Sequence, residues 1–343
     1  MSRFLLLATI LLVAVADGRA DPPTAEQIQI WIRDLDSSTF KTRDAATSGL
    51  RRAGAESAAP LARAARTGSA EVADRALRLL GEMAEGPDAK AEAAARRHLR
   101  RLADGESAVA ADAKSILQRK RNRTLTQLLF AGVAYDEHGS QVTRIDLDNS
   151  SNVAAVAPLL KEFPELESLS ASTSRFTDDQ AKYLAELPNL RDLNLYRSNI
   201  SDEGLKHLTG LKNLRWLPMG ETKVTDAGLK TISGMTQLEY VGVRGNNVTD
   251  AGLVHLKGLT NLTGLYLGET KVTDDGLKQL APLTKLHDLY LHTTSVTDAG
   301  LEHLKEFKDL KYLYLSKTKT TEGGRARLKE AIPDLSFPGL DDK

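Results

Sequence analysis

A Thr-Asp dipeptide returns at one fixed spacing through the C-terminal half of this chain. It stands at Thr177-Asp178, Thr225-Asp226, Thr249-Asp250, Thr273-Asp274 and Thr297-Asp298, with Ser201-Asp202 and Thr321-Glu322 filling the gaps. Every step between the acidic residues is a multiple of 24. Glycine follows two residues later at Gly204, Gly228, Gly252, Gly276, Gly300 and Gly324. Leucine precedes in the same register at Leu166, Leu190, Leu214, Leu238, Leu262, Leu286 and Leu310. Val142 carries the register back one more unit. The spacing therefore predicts eight units between residues 142 and 335, without an insertion. A fixed period of this length means one supersecondary unit stacked on copies of itself.

The halves of each unit differ in period. The first alternates apolar and polar residues, as in Leu193-Asn194-Leu195 and Leu265-Tyr266-Leu267, which predicts a strand with one face buried. The second half has helical spacing, as in Leu205, Leu208 and Leu211. One strand and one helix in so few residues cannot bury both apolar faces. Stacked units can, with strands in a parallel sheet and helices in an outer layer.

The pattern LxxLxLxx(T/S/N)x(V/I)TDxGLxxLxxLxx resembles the leucine-rich-repeat family, over more than half of the chain. Its TDxGL element is similar to the cysteine-containing subclass. Thr222, Asn246, Thr270, Thr294 and Thr318 stand where that class often has Cys or Asn, and are expected to point inward and bond the turn backbone. The resemblance implies an α/β leucine-rich-repeat solenoid, with a parallel β-sheet on the concave face and helices on the convex face. It also implies protein recognition. Ala131–Tyr135 and Gln141–Leu147 flank Asp136-Glu137-His138-Gly139, which predicts a β-hairpin over the exposed edge of the first strand.

Ahead of the repeats, residues 21–121 are rich in Ala, Arg and Leu and lack strand alternation. Helix breaks are expected at Asp36-Ser37-Ser38, Gly54, Thr67-Gly68-Ser69, Gly86-Pro87 and Asp104-Gly105, with helices over Asp88–Ala103 and Glu106–Arg121. The stretch Asp34–Met83 resembles a HEAT-like array, with Phe40, Arg43, Leu50, Gly54, Pro60-Leu61, Arg75-Ala76 and Leu79-Leu80 in place. The expected organisation is thus a signal peptide (1–20), an all-α HEAT-like domain (21–121), a linker and capping hairpin (122–141), the repeats (142–335) and a tail (336–343).

The signal-peptide reading rests on Arg3 and the apolar run Phe4–Ala16, too short to span a bilayer comfortably, followed by small residues at Ala14-Val15-Ala16 and again at Ala20. Cleaved or kept as an anchor, it predicts a periplasmic, secreted or cell-surface protein with no other membrane span. The chain has no cysteine, which excludes disulfides, thiolate nucleophiles and zinc–thiolate sites. Its formal charge is zero, with 46 basic and 46 acidic residues, which argues against a nucleic-acid partner. The dense basic run Arg119-Lys120-Arg121 with Arg123 reads as charge complementing a helix C-terminus.

No GxSxG elbow, HExxH motif or Gly-rich phosphate loop is present, so no catalytic residue and no cofactor is assigned. The acidic column could suggest a calcium ladder, but each turn offers one carboxylate, and helix capping accounts for all seven. The glycine column reads as close approach to the neighbouring unit. His207, His255 and His303 stand two units apart, too far to share a metal, and a turn accounts for Asp136-Glu137-His138. No metal site is assigned.

The surface that stands out is the one facing away from the leucines. Residues between them fall into columns across consecutive strands: Asp192, Trp216, Tyr240, Gly264, Asp288, Tyr312; then Asn194, Pro218, Gly242, Tyr266, Tyr290, Tyr314; then Tyr196, Gly220, Arg244, Gly268, His292, Ser316. Six of the eight tyrosines and one of the two tryptophans lie here, and they are expected to be largely exposed. Exposed Tyr and Trp clusters are the composition of interaction hot spots. Asp192, Tyr196, Trp216, Tyr240, Arg244, Tyr266, Tyr290, His292, Tyr312 and Tyr314 are therefore the candidate contacts for a protein or peptide partner. Carbohydrate stacking on the same aromatics, or a purely architectural spacer, are the competing readings.

Overall fold

The computed structural model describes residues 22–139, 141–148, 150 and 152–340. The candidate signal segment lies outside the described residues. The chain divides into two compact units, residues 1–123 and 124–343.

The first unit is helical. Its helices are α1 (Ala25–Asp34), α2 (Phe40–Ala53), α3 (Ala55–Thr67), α4 (Ala70–Glu85), α5 (Ala89–Ala103) and the first part of α6 (Ala108–Phe130). Every expected break falls between two of them. Side-chain oxygens hold the starts of four, Ser107 accepting from the Ala110 N–H at α6. Thr24 accepts from the Gln27 N–H, Ser69 from Val72, and Asp88 from Lys90 and Ala91, each satisfying donors a helix leaves free at its N-terminus. The core is built from Leu50, Ala58, Leu61, Ala76, Leu80, Ala95 and Leu99, all fully buried. Small alanines let α3, α4 and α5 pack against one another. The basic run is largely engaged inside this unit, with Lys120 on Glu92 and Arg123 on Glu85, both at 2.8 Å.

Helix α6 runs on to Phe130, nine residues beyond its expected end at Arg121. Leu128 on this extension is fully buried in the core of the second unit, so packing, not the local basic run, sets its length.

The second unit is a leucine-rich-repeat solenoid. Among the described residues it forms a nine-stranded sheet in sequence order. β1 (Ala134–His138) pairs antiparallel with β2 (Gln141–Asp146) as the capping hairpin, and Asp136, Glu137 and His138, expected in its turn, lie in β1 opposite Arg144, Val142 and Gln141. From β2 onward all pairing is parallel: β3 (Ser168–Ser170), β4 (Asp192–Asn194), β5 (Trp216–Pro218), β6 (Tyr240–Gly242), β7 (Gly264–Tyr266), β8 (Asp288–Tyr290) and β9 (Tyr312–Tyr314). Between β4 and β5 Asp192 stands opposite Trp216; Pro218, which has no N–H to give a ladder, still accepts from the Leu195 N–H at 2.8 Å. Each strand from β2 onward is followed by a helical segment, one α turn often tightening to 3-10, as in Asp250–Leu253 and Val254–Leu256.

One unit shows how the core is built. Leu262, Leu265, Leu267, Val272, Leu277, Leu280 and Leu283 are all fully buried, each stabilising by roughly 1.5–3 kcal/mol relative to exposure. The inward hydroxyls bond the turn as expected: Thr270 to the Leu267 carbonyl at 2.6 Å and Thr294 to that of Leu291 at 2.7 Å. Asn246 reaches further, donating to the Met219 carbonyl one unit back at 2.9 Å.

Of the two capping candidates at each turn, Thr or Asp, the Ser or Thr is the cap; Thr249, for example, accepts from the Ala251 N–H. The aspartates instead reach across to the next unit. Asp178 accepts the backbone N–H and hydroxyl of Ser201, and Asp202, Asp226, Asp250, Asp274 and Asp298 do the same for Thr225, Thr249, Thr273, Thr297 and Thr321. The glycine column follows from this. A Cβ on Gly204, Gly228, Gly252, Gly276, Gly300 or Gly324 would collide with the preceding unit's carboxylate.

The C-terminal edge is closed as well. Ser336, expected in a tail, bridges to Tyr312 of the last strand, and Phe337 and Leu340 pack against the core. An open parallel edge would otherwise present free donors and acceptors to other chains.

Candidate functional site: the open face of the sheet

The strands set the three columns side by side, in register: Trp216 opposite Tyr240, Gly264 opposite Asp288, Asp288 opposite Tyr312, and Tyr266 opposite Tyr290 opposite Tyr314. Five rings join into one ladder. Centroid separations are 5.0 Å for Trp216–Tyr240, 4.7 Å for Tyr240–Tyr266, 3.5 Å for Tyr266–Tyr290 and 3.7 Å for Tyr290–Tyr314. The last pair is nearly parallel, at 10°.

The ladder changes column at Tyr240, and two glycines make that possible. A Cβ on Gly264 would lie 2.8 Å from the Tyr240 ring, and one on Gly242 would lie 3.1 Å from its hydroxyl. Tyr240 leans across both, linking Trp216 in the first column to Tyr266 in the second. Gly268 serves His292 in the same way, since a Cβ there would enter the imidazole. The glycines of the open face are seats for neighbouring rings. Sequence reasoning overlooked this, although a glycine beside an aromatic in the adjacent column is a readable signal.

Exposure also differs from expectation. Tyr240, Tyr266, Tyr290 and Tyr314 are half-buried, because each ring covers the next. Trp216, at 37%, and Tyr312, at 46%, are the exposed aromatics of the face. Tyr312 stands outside the ladder, as does Tyr196, whose hydroxyl donates to Glu221. Side chains stand roughly perpendicular to a sheet, so the interior rings present edges and hydroxyls outward while their faces are occupied. Burial pushes the Tyr240, Tyr266 and Tyr290 phenols up, partly offset at Tyr266 by hydrogen bonds with Tyr290 and Tyr240; at Tyr314 the hydrogen bond with Tyr290 leads and burial adds to it, and Tyr290 and Tyr314 reach about 12.

The third column ends in a row of ion pairs. Arg197 and Arg244 pair with Glu221 and Glu269 at 2.7 and 2.8 Å. His292 Nε2 lies 3.8 Å from Glu269. Burial, reinforced by Arg244, holds the His292 imidazole below its ordinary value, with Glu269 opposing. Arg197, Glu221 and Glu269 were not among the candidate contacts. They sit on a turn whose residues Thr173, Arg197, Glu221, Glu269, Thr293 and Lys317 all adopt φ between 51° and 59°. This left-handed backbone carries each unit's N–H to the next unit, as from Glu269 to the His292 carbonyl at 2.9 Å.

Two acids on the face are different. Asp192 and Asp288 make no ion pair or hydrogen bond among the described residues. Burial pushes both carboxyls above their ordinary value, partly offset by Arg191 and Arg144 at Asp192 and by His287 and Lys311 at Asp288. Elsewhere, no group of three or more His, Asp or Glu among the described residues stands close enough to hold a metal ion. No helix among them is long and apolar enough to cross a membrane.

No protein-family model matches the chain, and no curated protein matches its sequence. Solved structures similar to it include an internalin (inlF) from Listeria monocytogenes, 22% identical with a TM-score of 0.45, over 57% of this chain and 59% of that one. An internalin C2 from the same organism is 23% identical with a TM-score of 0.45, over 55% of this chain and 77% of that one. The leucine-rich-repeat ectodomain of the Arabidopsis receptor kinase HAESA, solved with an IDA peptide hormone ligand, is 18% identical with a TM-score of 0.46, over 60% of this chain and 39% of that one. This chain thus spans 59% of the first internalin's length.

Proposed function

We propose that this leucine-rich-repeat solenoid is a non-enzymatic, extracytoplasmic binding module that takes a protein or peptide through the open, concave face of its sheet. The aromatic ladder from Trp216 to Tyr314 carries the reading. Sheet stability alone does not ask for five linked aromatics on the solvent side, with glycines cleared beneath the ring that links the columns. Aromatic anchors held rigid by stacking lose little entropy on binding, which is what makes Tyr and Trp effective at interfaces. A row of hydroxyl-tipped edges suits the alternating donors and acceptors of a peptide backbone. It suits sugar rings less, because they stack on open aromatic faces and the interior faces are taken. We read the helical unit as a HEAT-like scaffold ahead of this module.

The test is capture from the source organism's envelope fraction by the full chain and by a Trp216→Ala/Tyr266→Ala/Tyr290→Ala variant, both shown folded by circular dichroism. A protein held by the native chain and lost by the variant supports the reading. A partner retained equally by both refutes the concave face. Loss of Trp216 emission on adding glycans, with no protein captured, would replace peptide by carbohydrate.

A further inference from the structure

Arginines on and beside the open face are paired: Arg197 with Glu221, Arg244 with Glu269, Arg191 with Glu167 and Arg215 with Glu239. Asp192 and Asp288 are left over, in the same first column. Asp192 stands opposite Trp216 on the next strand. Asp288 stands opposite Tyr312, and its charge is felt by Tyr240, Tyr266, Tyr290 and Tyr314. Each carboxylate stands opposite an aromatic residue, is partly desolvated and makes no ion pair among the described residues; Arg191 and Arg144 at Asp192, and His287 and Lys311 at Asp288, only partly offset its burial. Such a group costs stability when left alone. A cation placed there gains an ion pair and contact with the electron-rich rings together.

We propose that the partner is an extended peptide carrying two basic side chains, one received by Asp192 and the other by Asp288. This rests on the peptide-binding reading above. The two acids are separated by four repeat steps, from 192 to 288. At about 4.8 Å per strand this is roughly 19 Å along the solenoid, which an extended chain covers in about six residues. Between the anchoring points run Trp216, Tyr240 and Gly264, so the intervening residues lie along the first half of the ladder. Lys or Arg at positions i and i+6 is the expected pattern.

The experiment is selection from an unbiased library of short linear peptides on the full chain. Native protein, the Trp216→Ala/Tyr266→Ala/Tyr290→Ala variant, and the isosteric Asp192→Asn and Asp288→Asn variants are then compared for binding the selected peptides. The expected result is enrichment of Lys or Arg six apart. Each Asp→Asn change should weaken those peptides about tenfold, and added salt should weaken them on the native chain. Binders that need the ladder but show no paired basic residues, or ignore both Asp→Asn changes, overturn this inference and leave peptide binding standing. Absence of any ladder-dependent binder overturns both.

Discussion

Asp226 accepts two hydrogen bonds from Thr249, 2.8 Å from its backbone nitrogen and 2.7 Å from its hydroxyl. The two residues belong to successive repeats, and the contact recurs along the solenoid. It couples each helix start to its neighbour with a charge-assisted pair of bonds, a class contributing roughly 1.5–3 kcal/mol.

The space Asp226 occupies is the space a side chain on Gly252 would need. Gly252→Ala should therefore destabilise the repeat unit by about 1–3 kcal/mol, as overpacking does. Gly210→Ala is the matched control, because nothing lies within 4 Å of its added Cβ. Chemical denaturation should show a lowered midpoint for the first and none for the second. Equal midpoints would mean the Asp–Thr bonds yield without cost.

Gly264→Ala should break the aromatic ladder at its crossing. The new methyl lies 2.8 Å from the Tyr240 ring, which then moves off Trp216. In a Trp31→Phe background Trp216 is the only tryptophan, and its emission should shift. A spectrum identical to the parent would show that Tyr240 is not held by the two glycines.

Thr293 is a β-branched residue at φ 57°, a conformation that costs L-residues about 1–2 kcal/mol. Thr293→Gly should raise the melting temperature. Gly245→Ala, at the equivalent turn with φ 71°, should lower it. The opposite pair of signs would show that the turn's side chains, not its backbone, set its stability.

The raised carboxyl of Asp288 makes stability depend on pH in a defined direction. The folded state holds this proton more tightly than the unfolded chain, so stability falls as pH rises from the ordinary value of 3.8 through the raised one. The charge left above that range faces Tyr240, Tyr266, Tyr290 and Tyr314, with His287 and Lys311 only partly offsetting burial. Asp288→Asn should thus raise the melting temperature at neutral pH, and the gain should vanish in acid. A loss at neutral pH would mean Asp288 is a structural partner instead of a vacant binding group.

Much of this was readable from the repeat itself. The 24-residue period, the strand half of each unit, the capping hairpin and the inward Thr and Asn ladder follow from alternation and spacing. Residues between the inward leucines fall into columns, because they must point away from the core. The shared columns also made the Tyr266–Tyr290–Tyr314 stack and the Trp216–Tyr240 neighbours readable. The crossing from Tyr240 to Tyr266, which joins these into one ladder, was not readable. The acidic column read as caps because its local position fits a cap.

The sequence by itself determined which leucines of each repeat are buried and the order of strands, because both depend on a period that any one unit displays. Only the tertiary structure decided what Asp226 binds, where the ladder crosses from Tyr240 to Tyr266, and which carboxylates are left without an ion pair. Those depend on side-chain rotamers meeting across repeat boundaries, 23 residues apart in the case of Asp226 and Thr249. No local pattern encodes that distance until the units are stacked.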